Sequence, residues 1–348
     1  MAKVSVILPT FNSSLFIYEA ISSILKQTHK NLELIIIDDK STDDTIKIIK
    51  LFRDKRIRLI ETKQRLGIAY SLNLGIKLSK SKFIARMDSD DISEPNRIEE
   101  QVNFLIKNKH IDVVGSSIKI IDEVGRVNKF ITYPKSNYEI KFFMCLGCPI
   151  VHPSVMMRKS IFEKYGIYYK DDYAEDYELW SKLLDKNVKF YNLDKYLLKL
   201  RKHKNNASKT RLNKSKKKEN NIILKNIEKI LNLKIEKKKM YCINIIRVNG
   251  LLKIKSKNIS EVLKLIYMLY TEYVNKFLKL EKNNNSEIIK RKLYEKVFII
   301  RVRNLKDLKS VIVFILEIIL NLKFTIYLFM KMSANYCRKL NNLNFLFF

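Results

Sequence analysis

Three short apolar segments near the start of the chain each end in turn-forming polar residues, and a helical pattern follows each of them. The segments are Val4–Leu8, Leu32–Ile37 and Phe83–Ala85, and they end in Pro9–Asn12, Asp38–Asp39 and Met87–Asp91. Strands that alternate with helices predict a mainly parallel sheet, and ligands bind such sheets beyond the carboxyl ends of the strands. Each loop alone is typical of an ordinary connection, but together they predict one shared pocket along this edge.

The pentad Met87-Asp88-Ser89-Asp90-Asp91 gathers three carboxylates in one loop. Carboxylates this close together repel one another, so folding alone gives no reason to gather them. Hard divalent cations such as Mg²⁺ and Mn²⁺ take oxygen ligands, and they are commonly held by one or two carboxylates together with substrate phosphates. The pentad therefore indicates a site for a complex of metal and diphosphate. The alternative is an acidic turn before a helix, where Asp and Ser are common.

The order and spacing of several segments resemble the family 2 glycosyltransferases, which have the GT-A fold, over roughly residues 3–208. The matching segments are Pro9–Asn12, Asp38–Thr45, Leu66–Gly75, Ala85–Asp91, Pro149–Ser154 and Ala174–Trp180. One short motif is weak support for a family, whereas five or six in the right order are strong. The resemblance implies an α/β fold of the GT-A, Rossmann-like type, with a mixed, mostly parallel sheet flanked by helices.

The resemblance also implies a reaction. It is the inverting transfer of a sugar from a nucleotide diphosphate sugar, usually a UDP-sugar, to a hydroxyl of a glycan or lipid-linked acceptor, as in the building of a bacterial surface polysaccharide. Asp88 and Asp90 would flank Mn²⁺ or Mg²⁺, with Asp90 as the more direct ligand. Asp176 would be the general base, a role that a carboxylate fills when it reaches the acceptor hydroxyl.

The same resemblance distributes further residues over the site, with Asp39 expected beside the nucleobase. Those implied to contact the nucleotide sugar are Pro9, Thr10, Asn12, Asp38, Asp39, Ser41, Arg65, Gly67, Asn73, Arg86, Asp88, Ser89 and Arg201, and those on the acceptor side are His152, Glu175 and Trp180. Leu179 and Leu183 recur at helical spacing, so Asp176 is predicted at the start of a helix. The alternative is that Glu175 and Asp176 only complement the helix dipole.

The roles of His203, His152 and Arg65 each have an open alternative. In some relatives a histidine after the last strand completes the metal shell, which implies that role for His203, but both His203 and His152 could instead be packing or surface residues. Arg201 carries a guanidinium suited to bidentate contacts with a phosphate. Arg65 stands two residues before Gly67, where family members often have Asn, and it could reach a phosphate or remain solvated.

The positive charge of the chain is concentrated in its second half. Residues 1–203 hold 35 Lys and Arg against 26 Asp and Glu, whereas residues 204–348 hold 33 against 10. A dense basic run, Lys209–Lys218, predicts the boundary between a transferase domain at 1–208 and a basic, mainly α-helical region at 209–348. Within that region Val311–Met332 is nearly long enough to span a bilayer, but charged residues interrupt it, which favours a buried or interfacial helix.

Basic amphipathic helices suit anionic membrane surfaces, and a lipid-linked acceptor would lie at such a surface. Nucleic acid is a less favoured partner for the same charge, and a bias of composition towards Lys, Ile and Asn is the alternative without any partner. Val4–Leu8 is too short for a signal peptide, and four cysteines do not make a disulfide framework. We therefore expect a cytoplasmic enzyme, peripheral at the inner face of the cell membrane.

Two other functions compete with glycosyl transfer. A sugar-phosphate nucleotidyltransferase also uses a nucleotide-binding α/β sheet, but it would be expected to carry a Gly-rich loop after the first strand, and Pro9–Ser14 contains no Gly. The other is a non-catalytic, basic protein that binds membrane or nucleic acid and that carries a degenerate transferase domain. The complete set of carboxylate motifs argues against degeneration.

Overall fold

The computed structural model of the chain describes residues 3–170, 173–204, 212–247, 256–278 and 289. The chain forms two compact units, and the boundary between them falls between Lys234 and Ile235. In the described residues the first unit contains the whole sheet, and the second contains helices only.

Nine strands lie in the described part of the chain. They are β1 (Val4–Thr10), β2 (Leu32–Asp38), β3 (Ile57–Glu61), β4 (Phe83–Arg86), β5 (Ile92–Ser93), β6 (Val113–Ile121), β7 (Val127–Ile131), β8 (Met156–Arg158) and β9 (Phe190–Arg201). They form one sheet in the order β3-β2-β1-β4-β8-β6-β9-β5, with β7 paired to β6.

Parallel pairing brings the three polar loops to one edge of the sheet. β1 pairs in parallel with β2 on one side and with β4 on the other, and β2 pairs in parallel with β3. β6 and β9 are also parallel, whereas β8 is antiparallel to both β4 and β6. Because the carboxyl ends of parallel strands share an edge, the residues that follow β1, β2 and β4 meet there, as the sequence predicts.

Ten helices are described along the chain. They are α1 (Ile17–Leu25), α2 (Thr45–Lys50), α3 (Ile68–Leu78), α4 (Arg97–Lys107), α5 (Asn137–Phe143), α6 (Ser160–Tyr165), α7 (Glu175–Asp185), α8 (Leu212–Leu231), α9 (Met240–Arg247) and α10 (Ser256–Tyr273). A short 3₁₀ turn at His152–Ser154 precedes β8.

The core lies between the sheet and the helices that cover it. Every residue of β1 is buried, as expected of an inner strand with both faces covered. α1 buries Ile17, Ala20, Ile21 and Ile24, which form one face at helical spacing. α3 approaches β1 closely at Gly75, where an added Cβ would lie only 2.5 Å from a methyl carbon of Ile7. The glycine therefore allows α3 to pack directly on the central strand.

The start of α2 differs from what its sequence pattern suggests. Ser41 and Asp44 have the spacing of a capping box, but α2 begins at Thr45 without a side-chain cap. The hydroxyl of Ser41 instead donates to Asp38, which belongs to the preceding strand. A capping box does occur at the start of α5, where the side chains of Ser136 and Glu139 each accept a hydrogen bond from the other residue's backbone N–H.

α8 belongs to the first compact unit, which ends later than the basic run. Its apolar residues form one stripe and are buried: Ile222, Ile223, Ile227, Ile230 and Leu231. α8 contacts α7, and the unit extends to Lys234. The predicted division of function at residue 208 stays a prediction.

The second unit contains α9 and α10 in its described part, and the Tyr241 hydroxyl on α9 donates to the Glu261 carboxylate on α10. Among the helices of the described residues, none is both long enough and apolar enough to cross a bilayer. The segment Val311–Met332, for which the sequence predicts a buried or interfacial helix, lies outside the described residues.

Candidate active site

Three carboxylates meet in the loop that follows β4. Asp88, Asp90 and Asp91 each offer an oxygen, and these atoms all lie within 4.8 Å of one another. Burial raises the pKa of Asp91 well above its ordinary value, and the charges of Asp88 and Asp90 add to this effect. Oδ2 of Asp91 is buried and has no hydrogen-bond partner among the residues that the structure describes. The loop therefore gathers three carboxyl groups whose ionised forms the protein only partly stabilises.

This donor set fits a hard divalent cation. Carboxylate oxygens are the ligands that Mg²⁺ and Mn²⁺ prefer, and an unpartnered buried oxygen is costly unless something binds it. Sequence reasoning assigned no role to Asp91, although the pentad that it completes was the strongest signal in the chain. Its backbone partner explains its place in the fold, because Oδ1 accepts a hydrogen bond of 2.9 Å from the Arg201 N–H at the end of β9.

His203 joins the acidic loop from a distant part of the chain. Its Nε2 lies 2.8 Å from Oδ2 of Asp90, and its ring packs against Phe16 at 4.9 Å between ring centroids. The structure thus brings together the three residues that the resemblance implied as metal ligands, Asp88, Asp90 and His203.

Arg201 has internal partners for its guanidinium. Nε donates to the carbonyl of Asp90, Nη1 donates to the carbonyls of Asp122 and Glu123, and Nη2 forms an ion pair with Glu19. The side chain is only 1% exposed. In this arrangement Arg201 ties the acidic loop to β9, and it does not present its guanidinium to a phosphate.

Arg86, the last residue of β4, is buried beside the acidic loop. Its Nη2 forms an ion pair with Asp88, while its Nε and Nη1 are buried without a hydrogen-bond partner. Burial raises the pKa of Asp88, and the charge of Arg86 opposes that rise. Arg86 therefore supplies a positive charge inside the site and next to the proposed metal ligands.

The start of α7 carries two further carboxylates, Glu175 and Asp176, as predicted. Burial raises the pKa of Asp176, although the hydrogen bond from the Tyr177 N–H and the charge of Arg86 act in the opposite direction. Burial and the neighbouring Asp176 raise the pKa of Glu175 to about 7. The charge of Asp176 also acts on Asp88, so α7 points its acidic end towards the loop after β4.

Loops that follow β1 and β2 are joined by side-chain hydrogen bonds. Asp38 is fully buried and accepts from the backbone N–H of Ser41 at 2.9 Å and from its hydroxyl at 2.6 Å. The Ser41 hydroxyl accepts from the Asn12 N–H, and Oδ1 of Asn12 accepts from the Thr42 N–H. These bonds hold the two loops as one surface beside the acidic cluster.

Asp39 binds the backbone at the start of α3. Its two carboxylate oxygens accept from the N–H groups of Leu66 at 2.7 Å and Gly67 at 2.8 Å. Gly67 has φ of 87°, a conformation that glycine adopts without strain. Ser13 and Ser89 share a hydrogen bond of 2.7 Å, which connects the loop after β1 to the acidic loop.

Two predicted nucleotide contacts have other partners. The guanidinium of the exposed Arg65 lies over the ring of Phe11, with its central carbon 3.9 Å from the ring centroid. The side-chain amide of Asn73 donates to the Tyr169 carbonyl and accepts from the Tyr169 N–H. Pro9 and Thr10 are buried residues at the end of β1.

Two of the residues predicted on the acceptor side, His152 and Trp180, lie in a buried cluster. His152 Nε2 lies 2.8 Å from the Tyr169 hydroxyl, and burial holds the pKa of His152 well below its usual range. Trp180 has no exposed surface and packs its ring against His152 and Phe190. Trp180 therefore packs within this cluster. Glu175 and Asp176 lie on the same helix, at its N-terminal end.

The chain is similar in sequence to known glycosyltransferases. A family model described as "Glycosyl transferase family 2" matches residues 5–166. The chain is 37% identical over 209 residues to "Putative glycosyltransferase EpsE" of Bacillus subtilis, which covers 57% of this chain and 73% of that protein. It is 33% identical over 216 residues to "O-antigen biosynthesis glycosyltransferase WbnJ" of Escherichia coli, which covers 60% of this chain and 83% of that protein.

A solved structure has the same fold. "S. aureus TarS 1-349 in complex with UDP-GlcNAc" aligns with a TM-score of 0.55 and 20% identity, over 86% of this chain and 89% of that chain. At this identity the likeness concerns the fold alone. The predicted GT-A α/β architecture with a helical C-terminal region is thereby confirmed.

Proposed function

Because this chain belongs to glycosyltransferase family 2, we propose that it transfers a sugar, with inversion, from a nucleotide diphosphate sugar to a hydroxyl of a glycan or lipid-linked acceptor. A UDP-sugar is the donor that we favour, since a structural neighbour was solved with UDP-GlcNAc. One relative, named for O-antigen biosynthesis, supports a surface polysaccharide as the product.

The observation that carries this proposal is the acidic cluster at the carboxyl edge of the sheet. Asp88, Asp90 and Asp91 lie within 4.8 Å of one another, and the carboxylate of Asp176 acts on Asp88 from the start of α7. The carboxylates of the loop after β4 are thus suited to the side of the leaving diphosphate, and Asp176 is suited to the side of the acceptor. Inverting transfer needs a base for the acceptor on one face of the anomeric carbon and stabilisation of the leaving group on the opposite face.

Asp88 and Asp90, with His203 beside them, would hold a Mn²⁺ or Mg²⁺ ion. When bound there, the cation supplies positive charge that stabilises the departing diphosphate. Arg86 balances part of the acidic charge, because its guanidinium pairs with Asp88. The backbone contacts of Asp39 and Asp38 keep the nucleoside-side loops in place before the donor arrives.

Asp176 is the residue that we assign as general base. It takes the proton from the acceptor hydroxyl while that oxygen attacks the anomeric carbon and the bond to the diphosphate breaks. Burial raises the pKa of Asp176, which makes its carboxylate a stronger base than an exposed one. Since the diphosphate is a good leaving group, the reaction needs no general acid. Glu175 lies beside Asp176, and burial raises its pKa to about 7, so it stays partly protonated near neutral pH.

The basic C-terminal half supports a location at an anionic membrane surface on the cytoplasmic side. A lipid-linked acceptor would be found there, and residues 204–348 carry 33 Lys and Arg against 10 Asp and Glu. We propose this location as peripheral association.

The test is the binding and slow hydrolysis of a panel of nucleotide sugars by the purified protein, with and without Mn²⁺. Metal-dependent binding or hydrolysis of one UDP-sugar would identify the donor and support the Asp88 and Asp90 site. A folded protein that binds no donor in either condition would contradict the proposal. Equal activity with Mn²⁺ and with a chelator would support glycosyl transfer but contradict the proposed role of a metal.

A further inference from the structure

Helix α8 contacts the proposed catalytic helix α7 through a buried polar network centred on Asn226. Asn226 is 2% exposed and lies within the apolar stripe of α8, where the buried Ile222, Ile223 and Ile230 stand three or four residues from it. A polar side chain in such a place is costly unless all its groups are bonded. The network therefore has a specific arrangement to maintain.

Every polar group of the Asn226 side chain has a partner. Nδ2 donates to the Met144 carbonyl at 3.0 Å and to the Tyr177 hydroxyl at 3.3 Å, while Oδ1 accepts from the Ser181 hydroxyl at 2.5 Å. The Tyr177 hydroxyl donates in turn to the same Met144 carbonyl at 2.5 Å. The amide thus joins α8, two successive turns of α7 and the residue that ends α5.

The network ends directly at the proposed base. Tyr177 follows Asp176 in the chain, is 1% exposed, and donates its backbone N–H to Oδ1 of Asp176 at 2.7 Å. Glu219, another residue of α8, lies near enough for its charge to raise the pKa of Asp176. The position of α8 is therefore transmitted to Asp176 through the ring and backbone of Tyr177.

We propose that Asn226 is a positioning residue for the glycosyl transfer, which fixes the first turn of α7, and with it Asp176, through the Tyr177 hydroxyl. The basic segment at 212–231 is then part of the catalytic apparatus and not a separate appendage. This inference rests on the assignment of Asp176 as the base. Its structural half, the control of α7 by Asn226, holds whatever reaction the site performs.

The test compares Asn226→Ala with two control variants in the full chain. Asn221→Ala makes the same change of helix propensity at an exposed position of α8. Ile227→Val or Ile227→Ala, whichever lowers Tm as much as Asn226→Ala, weakens the buried face of α8 without removing a partner of Tyr177. The two readouts are steady-state kinetics and hydrogen exchange at the Tyr177 and Glu178 amides.

For Asn226→Ala we expect kcat to fall by about tenfold or more with the donor KM nearly unchanged, since a misplacement of about 1 Å can cost about 10²-fold. We also expect faster exchange at the first turn of α7. Both control variants should keep the wild-type kcat and the slow exchange. A Tyr177→Phe and Asn226→Ala double-mutant cycle should give a double variant that loses less than the two single effects combined.

Two outcomes would overturn the inference. One is a wild-type kcat for Asn226→Ala, and the other is the same loss of kcat in the Ile227 variant of matched Tm. Hydrogen exchange separates this inference from the proposed function. If the wild-type protein transfers no sugar, unchanged protection of the Tyr177 and Glu178 amides in Asn226→Ala still refutes the positioning role, and faster exchange still supports it.

Discussion

The imidazole Nε2 of His203 lies 2.8 Å from the carboxylate Oδ2 of Asp90, although 113 residues separate them in the chain. The contact joins the end of β9 to the loop after β4, and Phe16 packs against the imidazole ring from the loop after β1. A histidine held this way can share a cation with Asp90, or it can orient Asp90 towards one. Both roles make cation binding depend on His203.

The variant His203→Ala should therefore weaken Mn²⁺ binding by about 10- to 100-fold, the usual cost of losing a ligand's hydrogen-bond partner at a metal site. Isothermal titration with Mn²⁺ in the presence of UDP measures this change directly. His110→Ala provides the control, because His110 is an exposed histidine outside the acidic cluster. Equal Mn²⁺ affinities of folded wild-type and His203→Ala proteins would exclude His203 from the metal site.

Asp176→Asn should lower kcat by about 10²- to 10⁴-fold, the usual contribution of a general base. The side chains have nearly the same shape, so donor binding and the far-ultraviolet circular dichroism spectrum should stay unchanged. Asp185→Asn is the same substitution at the other end of α7, where the carboxylate is exposed and pairs with Lys229. It should leave kcat unchanged, and substantial turnover by Asp176→Asn would remove this residue from the base role.

The arrangement of the acidic edge could be predicted because its parts are local. β1, β2 and β4 are apolar runs with polar ends, and parallel pairing brings those ends together whatever the rest of the chain does. The acidic residues of the pentad and of the start of α7 are neighbours in the sequence, so both clusters could be recognised without knowledge of the fold. Such features depend on short-range sequence and on the general geometry of parallel sheets.

The partners of individual side chains could not be predicted, because each one comes from a remote segment. Arg201 has a suitable group for a phosphate, but three backbone carbonyls and Glu19 occupy its guanidinium. Arg97 looks like a solvated helix residue, yet it is fully buried, where it donates to the carbonyls of Arg86 and Val155. Asn226 gave only one signal, a polar residue inside an apolar stripe.

Asp39 offers a prediction for the nucleoside side. In Asp39→Asn one carboxylate oxygen becomes an amide N–H₂ that faces the N–H of Leu66 or Gly67, so one of the two hydrogen bonds is lost. A backbone donor left unpaired costs about 1–3 kcal/mol. Since those bonds order the loop before α3, we expect the donor KM to rise by about tenfold or more while kcat changes less.

Asp44→Asn is the matched control for Asp39→Asn. It makes the same substitution in the same loop, but the Asp44 carboxylate is exposed and pairs with Lys47. Its donor KM should equal that of the wild-type protein. If Asp39→Asn and Asp44→Asn give the same donor KM, the contacts of Asp39 with α3 do not contribute to donor binding.

Glu175 gives the protein a stability that falls as the pH rises. Burial, followed by the charge of Asp176, raises its pKa from the ordinary value of 4.5 to about 7 in the folded protein. The folded state thus keeps the proton through a range of pH where the unfolded state has lost it. This contribution to stability is fully present below pH 4.5 and is lost as the pH rises through about 7.

Glu175→Gln removes this titration, so its Tm relative to that of the wild-type protein should increase between pH 5 and pH 8. The difference between the two proteins isolates Glu175 from Asp88, Asp91 and Asp176, whose raised pKa values act with the same sign in both. Glu178→Gln should instead lower Tm by a nearly constant amount from pH 5 to pH 8, because Lys182 and Lys218 outweigh burial and hold the pKa of Glu178 below its ordinary value of 4.5. A Tm difference between wild type and Glu175→Gln that is constant from pH 5 to pH 8 would show that Glu175 titrates at its ordinary pKa.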